Sequence, residues 1–331
     1  MLNLKALEIR DHVVSEMAEG NAFEFAPGVT VAEMIGTGDV PTEFLETVTY
    51  NLEEGREQVP LLYKPIYETT SQRDLPEVVI RKTPGSASVV FLRKPSGGEV
   101  VFGDIEAGEE STVRIYTWAA GLEFDEDFVE YNKLYDISRL ARVFGQNYNK
   151  LLNHLHLGPF TESSSFVTTG STQADQKAAQ EAGTPQLIPF TTDLATTLRR
   201  ALYVLPQGSI VLHNSSDIFA IQDAIAGDNL SDNTTPSAAK SALQRATYIA
   251  YDGVSITVGG QTYNYTGVPA GFIYLIVPKQ NYEELEKHDL ITDTAIGSFS
   301  RLILSQIVGR TRRGVFAAHG GATGAVKVDI A

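Results

Sequence analysis

The stretch Asp125–Leu157, DEDFVEYNKLYDISRLARVFGQNYNKLLNHLHL, constrains this chain more than any other. Its apolar positions fall at Leu134, Ile137, Ala141, Phe144, Tyr148, Leu151 and Leu155, in alternating steps of three and four. That spacing lays them along one stripe of an α-helix. Asp125 can cap the helix, and Glu126 and Asp127 fall in its first turn, where carboxylates favour the positive end of the helix dipole. Gly158-Pro159 is predicted to close it, since proline cannot continue a helix and glycine supplies a left-handed cap. The helix would have about 32 residues, roughly 48 Å at 1.5 Å per residue. Burying the stripe is worth roughly 10–20 kcal/mol. A coiled coil is the weaker reading, because the stripe stops at the Gly-Pro and one position is only alanine. The helix is expected to be the beam on which the rest is laid.

At 331 residues the chain can build one large domain or two ordinary ones. Its 43% hydrophobic and 20% charged content are those of a globular protein. No window approaches 18 uncharged apolar residues, so no transmembrane helix is expected. Glu8 and Asp11 interrupt the opening apolar run, which does not read as a secretory signal. With no cysteine there can be no disulfide, thiolate nucleophile or cysteine metal site. A net charge of −15 speaks against coating nucleic acid. Residues 1–60 hold 12 acids against three bases (Lys5, Arg10, Arg56), a balance of −9, whereas Arg301, Arg310, Arg312 and Arg313 cluster toward the C-terminus. That asymmetry suits contacts between copies of one chain, and equally a solvated face.

Along the chain, 4–19 reads as a short amphipathic helix and 41–52 as another, so residues 1–60 form an arm with little core of its own. From Glu77 the period becomes two. Runs at 78–82, 88–94, 99–103 and 111–118 read as strands, separated by turns at Pro84-Gly85, Pro95-Ser96-Gly97-Gly98 and Glu106-Ala107-Gly108. This antiparallel excursion leads into the long helix, with Lys82, Arg93 and Lys94 near its turns. Beyond the helix, 163–184 reads as a polar loop with a short helix, and Thr191 or Thr192 as the cap of a helix through Tyr203. Then come a buried strand at 209–213, a helix at 217–227, a polar insertion at 228–244 and four strand-like runs between 247 and 279. Residues 281–289 look helical, and the remainder returns to strand pattern.

Catalytic signatures are missing: no phosphate loop, no His-Glu-x-x-His, no Gly-x-Ser-x-Gly, no calcium loop. The glycine-rich run after His319 reads as a flexible turn. His154 and His156 lie two residues apart on a helix and point in nearly opposite directions, so they cannot share a metal ion. A helix N-terminus accounts for the acids Glu123, Asp125, Glu126 and Asp127. No catalytic residue, metal or cofactor is assigned.

The order of parts is more informative than any motif: an acidic arm, a strand-rich excursion, a long helix after "GLEFDEDF", a mixed region with "GSIVLHNSSDIFAIQDAI" and "GVPAGFIYLIVPK", then closing strands. This layout resembles the major capsid proteins of tailed bacteriophages, the Hong Kong 97-type fold. The resemblance implies an α+β chain with an N-terminal arm (1–60), an extended loop region (61–118), a peripheral domain (119–204) with its spine helix at 125–157, an axial domain (205–278) and a return to the peripheral domain (279–331). It implies self-assembly through pentamers and hexamers into an icosahedral shell around double-stranded DNA, in a virion assembled in the host cytoplasm. Scaffolding, portal and decoration proteins would be partners, with no membrane involved. Lys82, Arg93, Lys94, Arg310, Arg312 and Arg313 become the expected intersubunit contacts, and Lys82 and Lys94 the positions where some members form an isopeptide bond. An encapsulin-type nanocompartment shell is the nearest alternative. An α/β enzyme acting on a small molecule is the alternative from another class.

Overall fold

A computed structural model describes residues 4–21, 42–87, 105–125, 134–226, 231–232, 235–236, 238–258, 260–296 and 303–330. Two helices come first, α1 (Leu4–Ala18) and α2 (Thr42–Glu57), followed by strand β1 (Glu68–Ser71). Strands β2 (Val78–Ala87) and β3 (Ile105–Arg114) form an antiparallel ribbon; β4 (Tyr116–Asp125) precedes the long helix α3 (Leu134–Thr161). Next are α4 (Gln173–Glu181), β5 (Leu187–Ile188), α5 (Leu194–Val204), β6 (Ile210–His213) and α6 (Ile218–Ala226). The short strands β7 (Ser231–Asp232) and β8 (Thr235–Pro236), helix α7 (Ala238–Arg245) and β9 (Thr247–Ala250) follow. A second ribbon, β10 (Gly253–Val258) with β11 (Gln261–Thr266), leads to β12 (Phe272–Ile276). The chain closes on β13 (Tyr282–Ile296), β14 (Ile303–Ala317) and β15 (Ala325–Asp329).

Two sheets carry the architecture, in the orders β1-β13-β14-β4 and β5-β15-β12-β6-β9. Helix α3 packs on the first, and its C-terminal end, at Phe160, reaches the second through Tyr274 of β12. The fold is mixed helix and sheet. The last strand pairs with β12 (Ile273 opposite Val328), so it belongs to the sheet built from residues 210–276 rather than to the β13–β14 sheet. The expected return of 279–331 to one domain therefore splits after Ala317.

Helix α3 differs from its sequence reading at both ends and along its face. Asp125 ends a strand instead of capping a helix, and residues 126–133, including Glu126 and Asp127, lie outside the described residues. At the other end the helix runs through Gly158 and Pro159 to Thr161. A proline in the last turn forfeits one backbone bond, and Glu162 N still reaches Gly158 O at 2.8 Å. Ile137, Ala141 and Tyr148 are buried, whereas Phe144, Leu151 and Leu155 are only half-buried and the side chain of Leu134 lies outside the described residues. Leu152, Leu157 and Phe160 are fully buried in their place. The rotation comes from Asn149 and Asn153, which donate to the Arg56, Val59 and Pro60 carbonyls at 2.7–3.0 Å and tie the chain after α2 to the helix. The two helices touch backbone to backbone: a Cβ on Gly145 would lie 2.0 Å from Leu52 O, and one on Gly55 2.1 Å from Arg142 O.

Residues 282–289 are part of strand β13, where the sequence pattern of 281–289 suggests a helix. Glu, Leu and Lys favour helix locally, but this segment is paired on both edges, parallel to β1 and antiparallel to β14. Pro84-Gly85 and Glu106-Ala107-Gly108 lie inside strands of the first ribbon, not in turns. The register breaks on both sides of Pro84, and a bulge in a two-stranded ribbon accommodates a residue that cannot donate. Asp193, rather than Thr191 or Thr192, caps α5 by accepting from Thr196 N at 2.7 Å. The glycine run after His319 is tightly packed: Gln180 donates to His319 O and Gly321 O, and a Cβ on Gly320 would lie 2.0 Å from Gly183 O.

Candidate functional site

Beneath the first sheet lies a cluster of buried charge. Glu284, fully buried on β13, receives hydrogen bonds from Arg313, from Tyr63 Oη at 3.2 Å and from Thr69 Oγ1 at 2.9 Å, and His156 Nε2 lies 3.3 Å away. Burial alone would raise its pKa; His156 and Arg313 hold it down to about 2. His156 donates Nδ1–H to Leu152 O at 2.7 Å and stacks on Tyr63 with ring centres 3.7 Å apart. Arg313 also reaches Asp289, and Glu286 at 2.8 Å. Asp289 in turn accepts from Tyr148 Oη at 2.7 Å, Arg10 at 2.6 Å and Arg56 at 3.0 Å. Against the effect of burial, these cations hold the Asp289 carboxyl far below the usual carboxylate range. Glu53 completes the cluster by pairing with Arg10 and Arg56. The cluster joins α1, α2, α3, β13 and β14, and gives the acidic arm an ionic seat on its own subunit.

Arg313, expected at a subunit contact, is instead inside the subunit, 3% exposed. Successive strand residues face opposite sides of a sheet. Arg310 and Arg312 therefore point to the other face of β14, opposite Ala119 and Thr117 of β4, where both are half-buried. Lys82 lies in β2 in register with Glu110, and Arg93 and Lys94 fall outside the described residues.

Among the described residues, the β2–β3 ribbon is anchored at its base, where Leu75, Val79, Val113 and Ile115 meet Leu285, Phe316 and Ala318. Ile80 stands 61% exposed above that anchor. The β10–β11 ribbon is exposed on one face, half-buried at Val254, Ile256 and Tyr265 on the other, and is held at its foot by His154 stacked on Tyr265, 4.5 Å between centres, and by Thr161 Oγ1 donating to Thr266 O at 3.1 Å. Between the ribbon feet, two clefts of about 540 and 550 Å³ meet at Leu155. One is walled by Tyr116, Trp118 and Arg313, the other by His154, Glu162 and His319. Leu155 is half-exposed because it lines these clefts. Among the described residues no group of three or more His, Asp or Glu could hold a metal ion, and no helix is long and apolar enough to cross a membrane. Sequence reasoning missed Glu284, Asp289 and Asn153. The one signal available was polar residues recurring on the inward side of α3 and β13.

The sequence matches no protein-family model and no curated protein sequence. Solved structures do resemble it. A virus-like particle from Pyrococcus furiosus superposes with TM-score 0.51 at 8% identity, over 87% of this chain and 100% of that one. The capsid of a native GTA particle gives TM-score 0.50 at 10% identity, over 82% and 90%. A structure from Mycobacterium phage Adephagia gives 0.47 at 11% identity, over 82% and 90%. At these identities the likeness concerns the fold, and the fold is that of the first two particles' chains.

Proposed function

We propose that this chain is the major capsid protein of a tailed bacteriophage, with the Hong Kong 97-type fold. It self-assembles through pentamers and hexamers into an icosahedral shell enclosing double-stranded DNA. The observation that carries the reading is a body with the fold of particle-forming chains, extended by a two-stranded ribbon on which Val78 and Ile80 stand exposed. A two-stranded ribbon is marginal in water. The 78–87 and 105–114 strands therefore need a neighbouring copy to lie on, and a shell repeats one such contact many times. Arg310 and Arg312, on the outer face of β14, are assigned to contacts with the acidic surface of a neighbour. Scaffolding, portal and decoration proteins would be its partners, and Lys82 or Lys94 would be the crosslinking positions if the shell is covalently locked.

Purified protein should form closed particles, or pentamers and hexamers, visible by electron microscopy. A compact 36 kDa monomer at high concentration, with and without a scaffold, would overturn the reading. Deleting Thr83–Gly108 across a short turn should leave a folded subunit that no longer closes shells. A second reading, a nanocompartment shell of the encapsulin type, is favoured by the match over the whole length of the Pyrococcus furiosus particle chain. Particles isolated with protein cargo and no DNA would select it.

A further inference from the structure

The β10–β11 ribbon lies in a long uncharged segment. From residue 253 to residue 278 there is no Asp, Glu, Lys, Arg or His, in a chain of net charge −15. Its side chains pair among themselves across the strands: Ser255 donates to Asn264 Oδ1 at 2.7 Å, and the Thr257 and Thr262 hydroxyls lie 3.0 Å apart. Val258 is 63% exposed and Tyr263 49%. Among the described residues no other strand pairs with either ribbon strand, so each keeps an open outer edge. Lysine, proline and inward charges normally guard such edges against pairing with another chain, and 253–258 and 261–266 contain none of them.

A copy meeting its own copy across a two-fold axis lays each surface on the same surface of its partner. A patch carrying one sign of charge repels itself there, and this chain carries a net charge of −15. An uncharged ribbon of hydroxyls, amides and tyrosines can approach its own kind without that penalty and can hydrogen-bond to it edge to edge. It lacks the cations that a phosphate backbone would demand. We propose that β10–β11 is a homotypic contact, ribbon against ribbon, across a two-fold axis between neighbouring copies. The proposal rests on the shell reading and names the segment that holds copies together inside it.

Two variants at one exposed position test it, Val258→Glu and Val258→Lys, with Tyr263→Glu and Tyr263→Lys as a second pair should the first fail to fold. Circular dichroism melting should match the parent for each. Alone, each variant should lose at least tenfold of its assembled fraction by sedimentation velocity, through like charges facing across the contact. An equal mixture of the Glu and Lys variants should recover most of it, which neither a folding defect nor a contact with some other surface would do. Full assembly by the single variants, or no recovery in the mixture, overturns the ribbon contact while leaving the shell reading intact. A parent protein that never assembles overturns the shell reading itself.

Discussion

The two ribbons have the same secondary structure and opposite chemistry. The first places Arg81 and Lys82 on one strand and Glu106, Glu109, Glu110 and Arg114 on the other. The second, between residues 253 and 266, has no charge at all. Their feet differ as well. The charged ribbon stands on an apolar patch over a sheet whose opposite face is fastened by Arg313, Glu284 and Asp289. The uncharged ribbon stands on a histidine–tyrosine stack at the end of α3. Charged edges resist indiscriminate pairing and leave docking to complementary partners, whereas an uncharged edge accepts its own image. Within a single chain, charge placement alone can thus assign one ribbon to reaching a different surface and the other to meeting itself.

The comparison breaks most severely if the floor of the charged ribbon is removed. Arg313→Met takes the guanidinium from the fully buried Glu284, leaving it His156, Tyr63 and Thr69, and takes one of three cations from Asp289. Deleting one partner of a buried pair costs about 3–5 kcal/mol. Arg313→Met should therefore melt well below the parent, by on the order of 10 °C at 2–4 °C per kcal/mol. Tyr265→Ala, at the foot of the uncharged ribbon, removes only a half-exposed stack and should cost about 1 kcal/mol. Differential scanning calorimetry of the two variants ranks the feet. An Arg313→Met protein as stable as the parent would mean the cluster is not part of the fold's foundation.

Acid should sharpen the same contrast at somewhat smaller cost. His319 is buried, donates Nε2–H to Pro159 O at 2.8 Å and so presents Nδ1 as acceptor to Tyr282 Oη at 3.3 Å; burial pushes its pKa down from 6.5 to about 4. Between these two values the unfolded chain binds the proton and the folded one does not. Stability from this group is complete above pH 6.5, falls as pH falls, and is lost by about pH 4. The total is roughly 3 kcal/mol at 1.36 kcal/mol per pH unit. His154, under the uncharged ribbon, is shifted downward too, by burial against the opposing pull of Glu162. Glu284, under the charged ribbon, titrates near 2, so its contribution is complete down to its unfolded value of 4.5 and declines only below it. Denaturant titrations from pH 7 to pH 4 should show the loss, and His319→Gln should flatten most of it. An unchanged midpoint across the window would refute the assignment.

How far the residues alone announce this molecule varies by region. The long helix is legible because a repeated three-four step fits almost no structure but a helix, yet its buried face departs from the apolar stripe beyond Tyr148. Apolarity is a poor proxy for burial there, since Asn149, Asn153 and His156 are buried where the backbone after α2 and the polar groups around them offer partners. Strand β13 reads as helix because its glutamates are helix formers in isolation, and only the pairing with β1 and β14 recruits Glu284 as a buried anion. Arg313 is misplaced by the sequence for a related reason. Arg310, Arg312 and Arg313 look alike in the chain, and the alternation that separates them emerges only once the register of β14 is set. The ribbon at 253–266 is visible as two strands, but its isolation from both large sheets is not.

The smallest effect belongs to the charges of the first ribbon themselves. Lys82 and Glu110 are cross-strand partners in register. Exchanging them, Lys82→Glu with Glu110→Lys, preserves the pair and the net charge. Cross-strand and surface ion pairs are worth less than about 1 kcal/mol, so the double variant should melt within about 0.5 kcal/mol of the parent. If the charged ribbon docks by complementarity to another surface, the exchange inverts its pattern without touching its fold. Assembly should then weaken, and weaken most at low ionic strength, where the Debye length of roughly 10 Å at 0.1 M grows and misplaced charges are felt furthest. The Val258 variants should respond similarly to salt only because charge has been introduced, while parent contacts through β10–β11 should be nearly salt-independent. Light scattering across a salt series separates these behaviours. Exchange variants that assemble like the parent at every salt concentration would mean that the first ribbon's charges only solvate it, and that the chemical contrast between the two ribbons has no part in assembly.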